Sequence, residues 1–464
     1  MRKTIFGCLG AAVVAFTLHF TLADVQAGLF SACNPCDEVA DCNPCDDADS
    51  CDPCDAVNCG TSLGKWFLNG HMEAGFFANG HGNKAQYNNW GGYGFAPSRG
   101  YDGDTGNTAL LQNTRLTGAQ INQVYVSMGK TVDGRRGWDF GGTVDITWGS
   151  DAYNVQARGM EYGAGHGGPI NEGRWGTGDY YAAFAQAYFE AAYGRWNFIA
   201  GKFAAPFGID DYKSTENFFY SWSPTQLISP NVGGGAYATY KASDKLTLIG
   251  GWVMPEEIGE GTKYNCVLGG FVWTPVKRFN LRYAFAAGDN TYNAENGVLD
   301  LGSGIFGHYN VRGDNVFVHS LTATAQISQR LKYVFDWTLL NVTNSGNWYD
   351  TAGINGPVID GGNWRSPFAA YAIMNEVIFQ YNKKWAFGTR FGVLNENLYG
   401  SDADWYTVSL GANWTPNKWL TVKPEVRYDW FDGDGWTHRF NGTLNRFPIN
   451  TYQVSGGMSA VVKF

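Results

Sequence analysis

The stretch LTVKPEVRYDW, residues 420–430, decides the fold class of this chain. Its alternation places Val422, Val426 and Tyr428 on one side of an extended strand, because successive side chains of a strand point to opposite faces. The residues between them, Arg427 among them, are mostly charged or polar. The segment is therefore a strand with one apolar and one hydrophilic face.

The composition favours the same class over the length of the chain. Of the 464 residues, 62 are Gly, 16% are aromatic and only 16% are charged. This mixture argues against a disordered chain, which is poor in aromatic residues, and against a helical protein, because Gly weakens helices. After residue 22 no apolar run approaches the ~20 residues of a membrane-spanning helix.

The same alternation recurs in sixteen segments, and the connections between them alternate in length. The segments start near residues 66, 119, 138, 182, 196, 233, 245, 265, 279, 315, 331, 368, 384, 405, 419 and 451. Short connections include 133–137 and 194–195, and long ones include 208–232 and 396–404. Short turns on one side and long loops on the other are typical of outer-membrane barrels.

We therefore predict an all-β protein: a closed antiparallel transmembrane β-barrel of about 16 strands, with short periplasmic turns and long extracellular loops. Closure is required because an open sheet edge would leave backbone groups unsatisfied in lipid. A soluble repeat such as a propeller is the alternative, but it does not predict alternating connection lengths. The even strand count places both ends of the barrel in the periplasm.

The N-terminus predicts export. Residues 1–27 have a basic start and an apolar run, and they end in Val25-Gln26-Ala27, which is typical of a cleaved signal peptide. A membrane anchor and a lipoprotein signal are the alternatives. Residues 63–464 then form the barrel.

Between these two parts, residues 28–62 form an acidic, cysteine-rich periplasmic tail with three nine-residue repeats. Residues 33–59 contain eight acids and no Lys or Arg. Disulfides suit an exported chain, and a metal site or a redox motif is the alternative. Because the tail has seven cysteines, an odd number, we expect at least one thiol to pair with another chain, either a second copy of this protein or a periplasmic envelope partner. The candidate disulfide residues are Cys33, Cys36, Cys42, Cys45, Cys51, Cys54 and Cys59.

Several stretches resemble the OmpL-like outer-membrane β-barrel porin family. The most specific is GKFAAPFGIDDYKSTENFFYSWS, residues 201–223, followed by GGAYATYKASDKLTLIGGW, residues 234–252. VDITWGSDAYN, residues 144–154, and KPEVRYDW, residues 423–430, add to the resemblance. It implies a porin-like channel in the bacterial outer membrane without naming a substrate.

Nothing in the sequence predicts an enzyme. His residues are few, and no HExxH, P-loop or GxSxG motif occurs. His319 and Ser320 are adjacent, but alternation places them on opposite faces of a strand. We expect no cofactor and no metal, and Asp/Gly clusters such as 102–107 are interpreted as ordinary turns. No basic patch suggests nucleic acid.

The hydrophilic strand faces supply the candidate pore-lining residues, because charges placed inside a wide barrel require water. We predict that the loop 208–232 folds inward and narrows the channel with Asn217, Phe218, Phe219, Tyr220 and Ser221, facing Arg390 and Arg427; a loop that caps the extracellular rim is the alternative. The predicted lining residues are Glu73, Asp139, Asp145, Glu190, Lys202, Arg282, Lys332, Asp336, Glu376, Arg390, Lys423, Glu425, Arg427 and Asp429.

The function expected is that of a porin, a water-filled channel for passive diffusion of small hydrophilic solutes. A saccharide channel, with Phe67, Phe77, Tyr125 and Tyr237 as stacking surfaces, is a narrower version. A structural barrel that anchors the envelope through its cysteine-rich tail is the alternative. Expected partners are the lipid bilayer, the barrel-assembly machinery, which would read the terminal Phe464, and the solutes. A disulfide-linked envelope partner and a homotrimer are open alternatives.

Overall fold

A computed structural model describes residues 65–80, 118–157, 160–161, 175–177, 180–255, 265–289, 315–343, 368–398, 401–433 and 452–464. The predicted signal peptide, the tail with its seven cysteines and the proposed boundary at residue 63 lie outside these residues. Among the described residues, no helix has both the length and the apolar character needed to cross a membrane.

Sixteen long strands and one two-residue strand make a single antiparallel sheet. The strands are β1 (Trp66–Asn79), β2 (Gly118–Lys130), β3 (Asp139–Gly149), β4 (Gly176–Thr177), β5 (Tyr180–Tyr193), β6 (Trp196–Ala204), β7 (Val232–Ser243), β8 (Leu246–Pro255), β9 (Asn265–Val276), β10 (Phe279–Asp289), β11 (Asn315–Gln326), β12 (Leu331–Thr343), β13 (Phe368–Gln380), β14 (Trp385–Leu398), β15 (Ser401–Asn417), β16 (Leu420–Gly433) and β17 (Tyr452–Lys463). A single helical turn, α1 (Pro224–Leu227), lies between β6 and β7.

The sheet closes on itself. Each long strand pairs with the next, β3 pairs with β5 past the short β4, and β1 pairs with both β2 and β17. His71 lies opposite Lys463 in the closing register. At the seam the amide of Gly70 donates to the carbonyl of Phe464 at 2.8 Å. The prediction of a closed barrel of sixteen strands is confirmed.

The barrel is polar inside and apolar outside. On β16, Glu425 and Arg427 point inward and are 4% and 1% exposed, whereas Val426 between them is 59% exposed. Aromatic rings gather at both ends of the outer surface. Trp385 stacks on Trp414 near the short turns, at a ring separation of 5.9 Å, and Tyr406 stacks on Trp430 near the long connections. These two belts mark the interfaces of a membrane.

One connection differs from its prediction. Residues 396–404 were expected to form a long loop, but β14 continues to Leu398 and β15 begins at Ser401. The side-chain amide of Asn395 donates to Asp404 across the two strands at 2.8 Å. These polar residues resembled a loop because polarity alone does not distinguish a loop from a hairpin that extends beyond the apolar band.

Candidate functional site

The connection between β6 and β7, residues 205–231, lies inside the barrel; we call it the inner loop. The amide of Ala205 donates to the carbonyl of Asn231 at 3.1 Å, which brings the two ends of the loop together. Its large side chains Phe207, Phe219 and Tyr220 are buried. The loop therefore crosses the lumen instead of extending from the rim.

Two glycines let the inner loop leave the wall. Gly201 on β6 and Gly235 on β7 lie opposite each other, with φ angles of +132° and +145°. L side chains rarely adopt such angles, and a Cβ at Gly201 would lie 2.9 Å from the Cα of Tyr188. Both positions, close to the ends of the inner loop, therefore require glycine.

Four further glycines, on β1, β14 and β15, receive side chains of the loop; we call them the glycine seats. A Cβ at Gly75 would lie 2.7 Å from the Cζ atom of Tyr220, and one at Gly411 would lie 2.9 Å from Cδ1 of Phe219. Gly388 receives Phe218 and Gly392 receives Pro224 in the same way. Glycine within a strand often marks such a close approach.

Two arginines hold the middle of the loop. Arg390 of β14 donates to the carbonyl of Ser221 at 2.8 Å and to its hydroxyl at 2.7 Å. Arg427 of β16 donates to the same hydroxyl at 3.0 Å and to the carbonyl of Trp222 at 3.0 Å. The hydroxyl of Ser221 in turn donates to Glu425 at 2.6 Å. Both guanidinium groups thus converge on one loop residue.

Each charge around this point lies close to one of opposite sign. Arg390 lies 3.3 Å from Glu425 and 3.9 Å from Glu376, and Arg427 lies 2.7 Å from Asp429. All five side chains are buried. A buried charge is costly unless it is paired, so each of these groups depends on its neighbours.

The rest of β16, and β1 on the other side of β17, continue the same pattern. Lys423 donates to the loop carbonyls of Ser214 and Asn217, the second at 2.6 Å. Glu73 accepts from the hydroxyl of Ser459 on β17 at 2.7 Å. The wall therefore supplies partners to loop backbone groups that no secondary structure satisfies.

Farther along the wall, Asp145 of β3 is completely buried and accepts several hydrogen bonds. Its donors are the hydroxyls of Ser127 at 2.5 Å, of Tyr212 at 3.2 Å and of Tyr125, and the amide of Gln186 at 2.7 Å. Tyr212 belongs to the inner loop. Asp145 thereby connects three strands to the loop.

A third contact region lies on β10 to β12. Asp336 accepts from the amide of Ile209 at 3.0 Å and from the hydroxyl of Thr225 at 2.8 Å. Arg282 donates to the carbonyl of Gly208. The loop therefore has polar contacts on opposite sides of the barrel.

An apolar cluster fills one sector of the lumen. Phe207, Leu227 and Ile228 of the inner loop belong to the same buried cluster as inward residues of β6 to β15, including Val318, Leu340 and Leu394. Helix α1 lies against β12, β13 and β14. The inner loop thus has a core of its own, inside an otherwise polar barrel.

A second segment after β3, residues 150–157 with 160–161, also reaches inward. Lys202 donates to Glu161 at 2.6 Å and to the carbonyl of Val155 at 2.8 Å, and both charged groups are almost completely buried. Asp151 accepts from the amide of Gln123 at 3.1 Å, and Gln123 also donates to the carbonyl of Tyr212 at 2.6 Å. The two inward segments are joined through β2.

The remaining predicted lining residues lie nearer the short turns. Glu190 accepts from Asn197 at 2.6 Å, Lys332 is half-buried, and Asp139 pairs with Lys65 and with Lys130, the latter at 2.9 Å. Between the inner loop and the short turns, several inward polar side chains are partly exposed to water. These half-buried residues include Glu190, Asn197, Asn280, Arg282, Thr324 and Lys332.

Lys213, Glu161 and Asp151 were not predicted as lining residues, because they lie in connections without periodicity. Lys213 lies 3.6 Å from Asp145. By contrast, His319 and Ser320 are on opposite faces, as alternation predicts. His319 packs on the ring of Trp337 at 4.7 Å, and the hydroxyl of Ser320 accepts from the amide of Gly208 at 2.9 Å.

The structure is similar to those of several bacterial outer-membrane channels. An anion-selective porin from Comamonas acidovorans matches with a TM-score of 0.49 and 8% identity, over 86% of this chain and 99% of that chain. The channel DcaP of Acinetobacter baumannii matches with a TM-score of 0.49 and 11% identity, over 86% and 97%. The trimer form of OmpT from Vibrio cholerae matches with a TM-score of 0.48 and 11% identity, over 86% and 99%.

No curated protein matches the sequence. A family model, however, matches residues 68–464, which is nearly the whole barrel. It is described as "Putative beta-barrel porin-2, OmpL-like". The closed sixteen-strand wall, the inward charges and this match agree, and the chain belongs to this family of outer-membrane β-barrel porins.

Proposed function

We propose that this porin forms a water-filled channel for passive diffusion of small hydrophilic solutes, and that the inner loop sets its narrowest section. The observation that carries the proposal is the convergence of Arg390 and Arg427 on Ser221 in the middle of the lumen. Contacts of the loop with β2, β12 and β16 span the barrel and reduce its free cross-section.

The inward charges support weak ion selectivity. Acids and bases of the wall alternate around the inner loop and pair with each other, so neither sign dominates the field there. The polar surface between the inner loop and the short turns also has both signs of charge. Its half-buried side chains include the acid Glu190 and the bases Arg282 and Lys332. Size should therefore decide passage more than charge.

Stacking of saccharide rings receives less support. Phe77 contacts Tyr220, Tyr125 stacks on His71 at 4.9 Å and Tyr237 packs on Phe203, so all three rings are covered by protein. Phe67 is half-buried. A hydrophilic solute of no fixed class fits this lumen better than a sugar.

Conductance in planar bilayers tests the proposal. Deleting residues 215–226 removes the loop groups that contact Arg390, Arg427 and all four glycine seats, and it should raise the single-channel conductance. A variant with twelve Gly and Ser residues in the same place keeps the chain length and loses the contacts. Its conductance should also rise, with more noise. Unchanged conductance in both folded variants would refute the role of the loop.

The same recordings separate the channel from the structural alternative. A barrel that only anchors the envelope would stay closed as the intact protein. Recognition of the terminal Phe464 by the assembly machinery and formation of a homotrimer remain predictions. The exposed ring of Phe464 at the end of β17 supports the first.

A further inference from the structure

The short-turn end of the barrel carries a ring of cations, which we call the basic rim. Every one of the seven short turns has at least one Lys or Arg in it or beside it. Most of these side chains are exposed. The basic rim consists of Lys65, Lys130, Arg135, Arg136, Arg195, Lys241, Lys245, Lys277, Arg278, Arg330, Lys383, Lys384, Lys418 and Lys463.

Few acids oppose these cations. Within the part of the chain that the structure describes, this end has the carboxylates of Asp133, Asp139 and Asp244, with Glu190 slightly deeper in the lumen. Each Asp already has a local partner: Arg135 lies 2.8 Å from Asp133, and Lys241 lies 2.9 Å from Asp244. Hydrogen bonds from Arg135 lower the pKa of Asp133 to about 2. These aspartates are therefore ionised and engaged, and a large positive excess remains.

The excess belongs to this end alone. Outside the signal and the tail, the chain is nearly neutral, because its Lys and Arg residues almost equal its Asp and Glu residues in number. The lumen and the long connections must then carry a compensating excess of acids. The basic rim is thus a local feature and not a consequence of overall charge.

The chain that enters this rim has the opposite charge. Residues 33–59 hold eight acids and no Lys or Arg, and they precede Lys65, which is itself a rim residue in contact with Asp139. A chain of 27 residues can reach at most ~90 Å, whereas a sixteen-strand barrel is about 30 Å across. The covalent length is therefore ample for contact with all sides of the rim.

We propose that the acidic tail, residues 33–59, docks on the basic rim across the periplasmic mouth of the channel. Its eight carboxylates would offset most of the rim charge at distances within a Debye length of about 8 Å. The mouth would otherwise attract anions, so the docked tail makes the entrance nearly neutral. It also presents the seven cysteines at the mouth. Anionic phospholipid headgroups are the competing occupant of the same cations.

Carbodiimide coupling of the purified mature protein tests the contact itself. The reagent joins a carboxylate to a neighbouring Lys through an amide, and mass spectrometry identifies the linked peptides. We expect tail peptides linked to Lys245, Lys277 or Lys384, which lie in turns far from Lys65 along the wall. The links should persist in detergent without anionic lipid and decrease at high salt. Tail peptides linked only to Lys65 would overturn the proposal.

Selectivity measurements in bilayers of zwitterionic lipid test the consequence. A variant of the full chain with the eight tail acids replaced by Asn or Gln should shift the permeability ratio toward anions by about threefold or more. Adding Lys383→Gln and Lys384→Gln should reverse part of that shift. An identical permeability ratio in the intact protein and in the variant without tail acids would overturn the proposal. A difference between the two that appears only in bilayers with anionic lipid would also overturn it. Neither result depends on the role of the inner loop.

Discussion

The substitution Gly388→Ala tests whether close packing holds the inner loop in the lumen. A Cβ at this position would lie 2.9 Å from Cδ1 of Phe218 and closer still to its Cε1. Carbon atoms in ordinary contact are ~3.5–4.0 Å apart, so the ring must move by about 1 Å. Overpacking of this kind costs about 1–3 kcal/mol.

The loop has to absorb that cost, because the wall cannot. Gly388 is paired on both sides, with Ile378 of β13 and Gly411 of β15. The penalty therefore falls on the docked state of the loop and lowers its population about 5- to 150-fold relative to the undocked state. In single-channel recordings, Gly388→Ala should show more time at larger conductance levels.

A matched control lies on the lipid-facing side. At Gly250, between the exposed residues Leu248 and Trp252, an added Cβ would have no atom within 4 Å. Gly250→Ala should therefore behave like the unmodified protein, and Gly411→Ala should lie between the two, because its nearest contact, Phe219, is at 2.9 Å. Equal conductance patterns in folded Gly388→Ala and Gly250→Ala proteins would refute the packing argument.

Three further predictions concern other contacts. Arg390→Met leaves Glu425 without its closest guanidinium and should destabilise the barrel by about 3–5 kcal/mol in thermal unfolding; adding Glu425→Gln should recover part of this loss, and an unaltered loss would contradict the pairing. Burial, with the charge of Glu73 as a second cause, raises the pKa of Asp151 to about 7 from 3.8. The stability that the Asp151 carboxyl gives to the folded state is thus complete below its ordinary pKa and is lost as pH rises through 7. Channel noise should therefore increase between about pH 6 and pH 8, but not in Asp151→Asn. Non-reducing gels of native membranes should show high-mass species that thiol collapses and that deletion of residues 33–61 abolishes; a monomer without reductant would exclude the tether.

The strands could be predicted from the sequence because a membrane barrel imposes one rule on every strand. Each outward side chain meets lipid and each inward side chain meets polar surroundings, so the period of two persists even in short segments. The predicted starts at 66, 196, 265 and 331 coincide with β1, β6, β9 and β12. The rule does not depend on which residues contact each other across the lumen.

The docking of the inner loop had a weaker signal. The arginines that bind Ser221 were expected to face the loop, because they lie on hydrophilic strand faces. The glycine seats were not predicted, since an inward Gly such as Gly75 or Gly411 interrupts neither face of its strand. The partners of Lys202 and Asp145 within the long connections could not be predicted either, because contacts distant in sequence leave no local pattern.

The wall and the inner loop supply hydrogen-bond partners to each other. The loop is mostly without regular structure, so its carbonyls need donors, and Arg390, Arg427 and Lys423 supply them. Each such bond has a charged donor and contributes only about 1.5–3 kcal/mol, because water in an open lumen could replace it. The bonds on β2, β12 and β16 would nevertheless have to break together, along with the apolar contacts of Leu227 and Ile228. The inner loop should therefore dock and undock as a unit, and changes in conductance should come from movement of the whole loop.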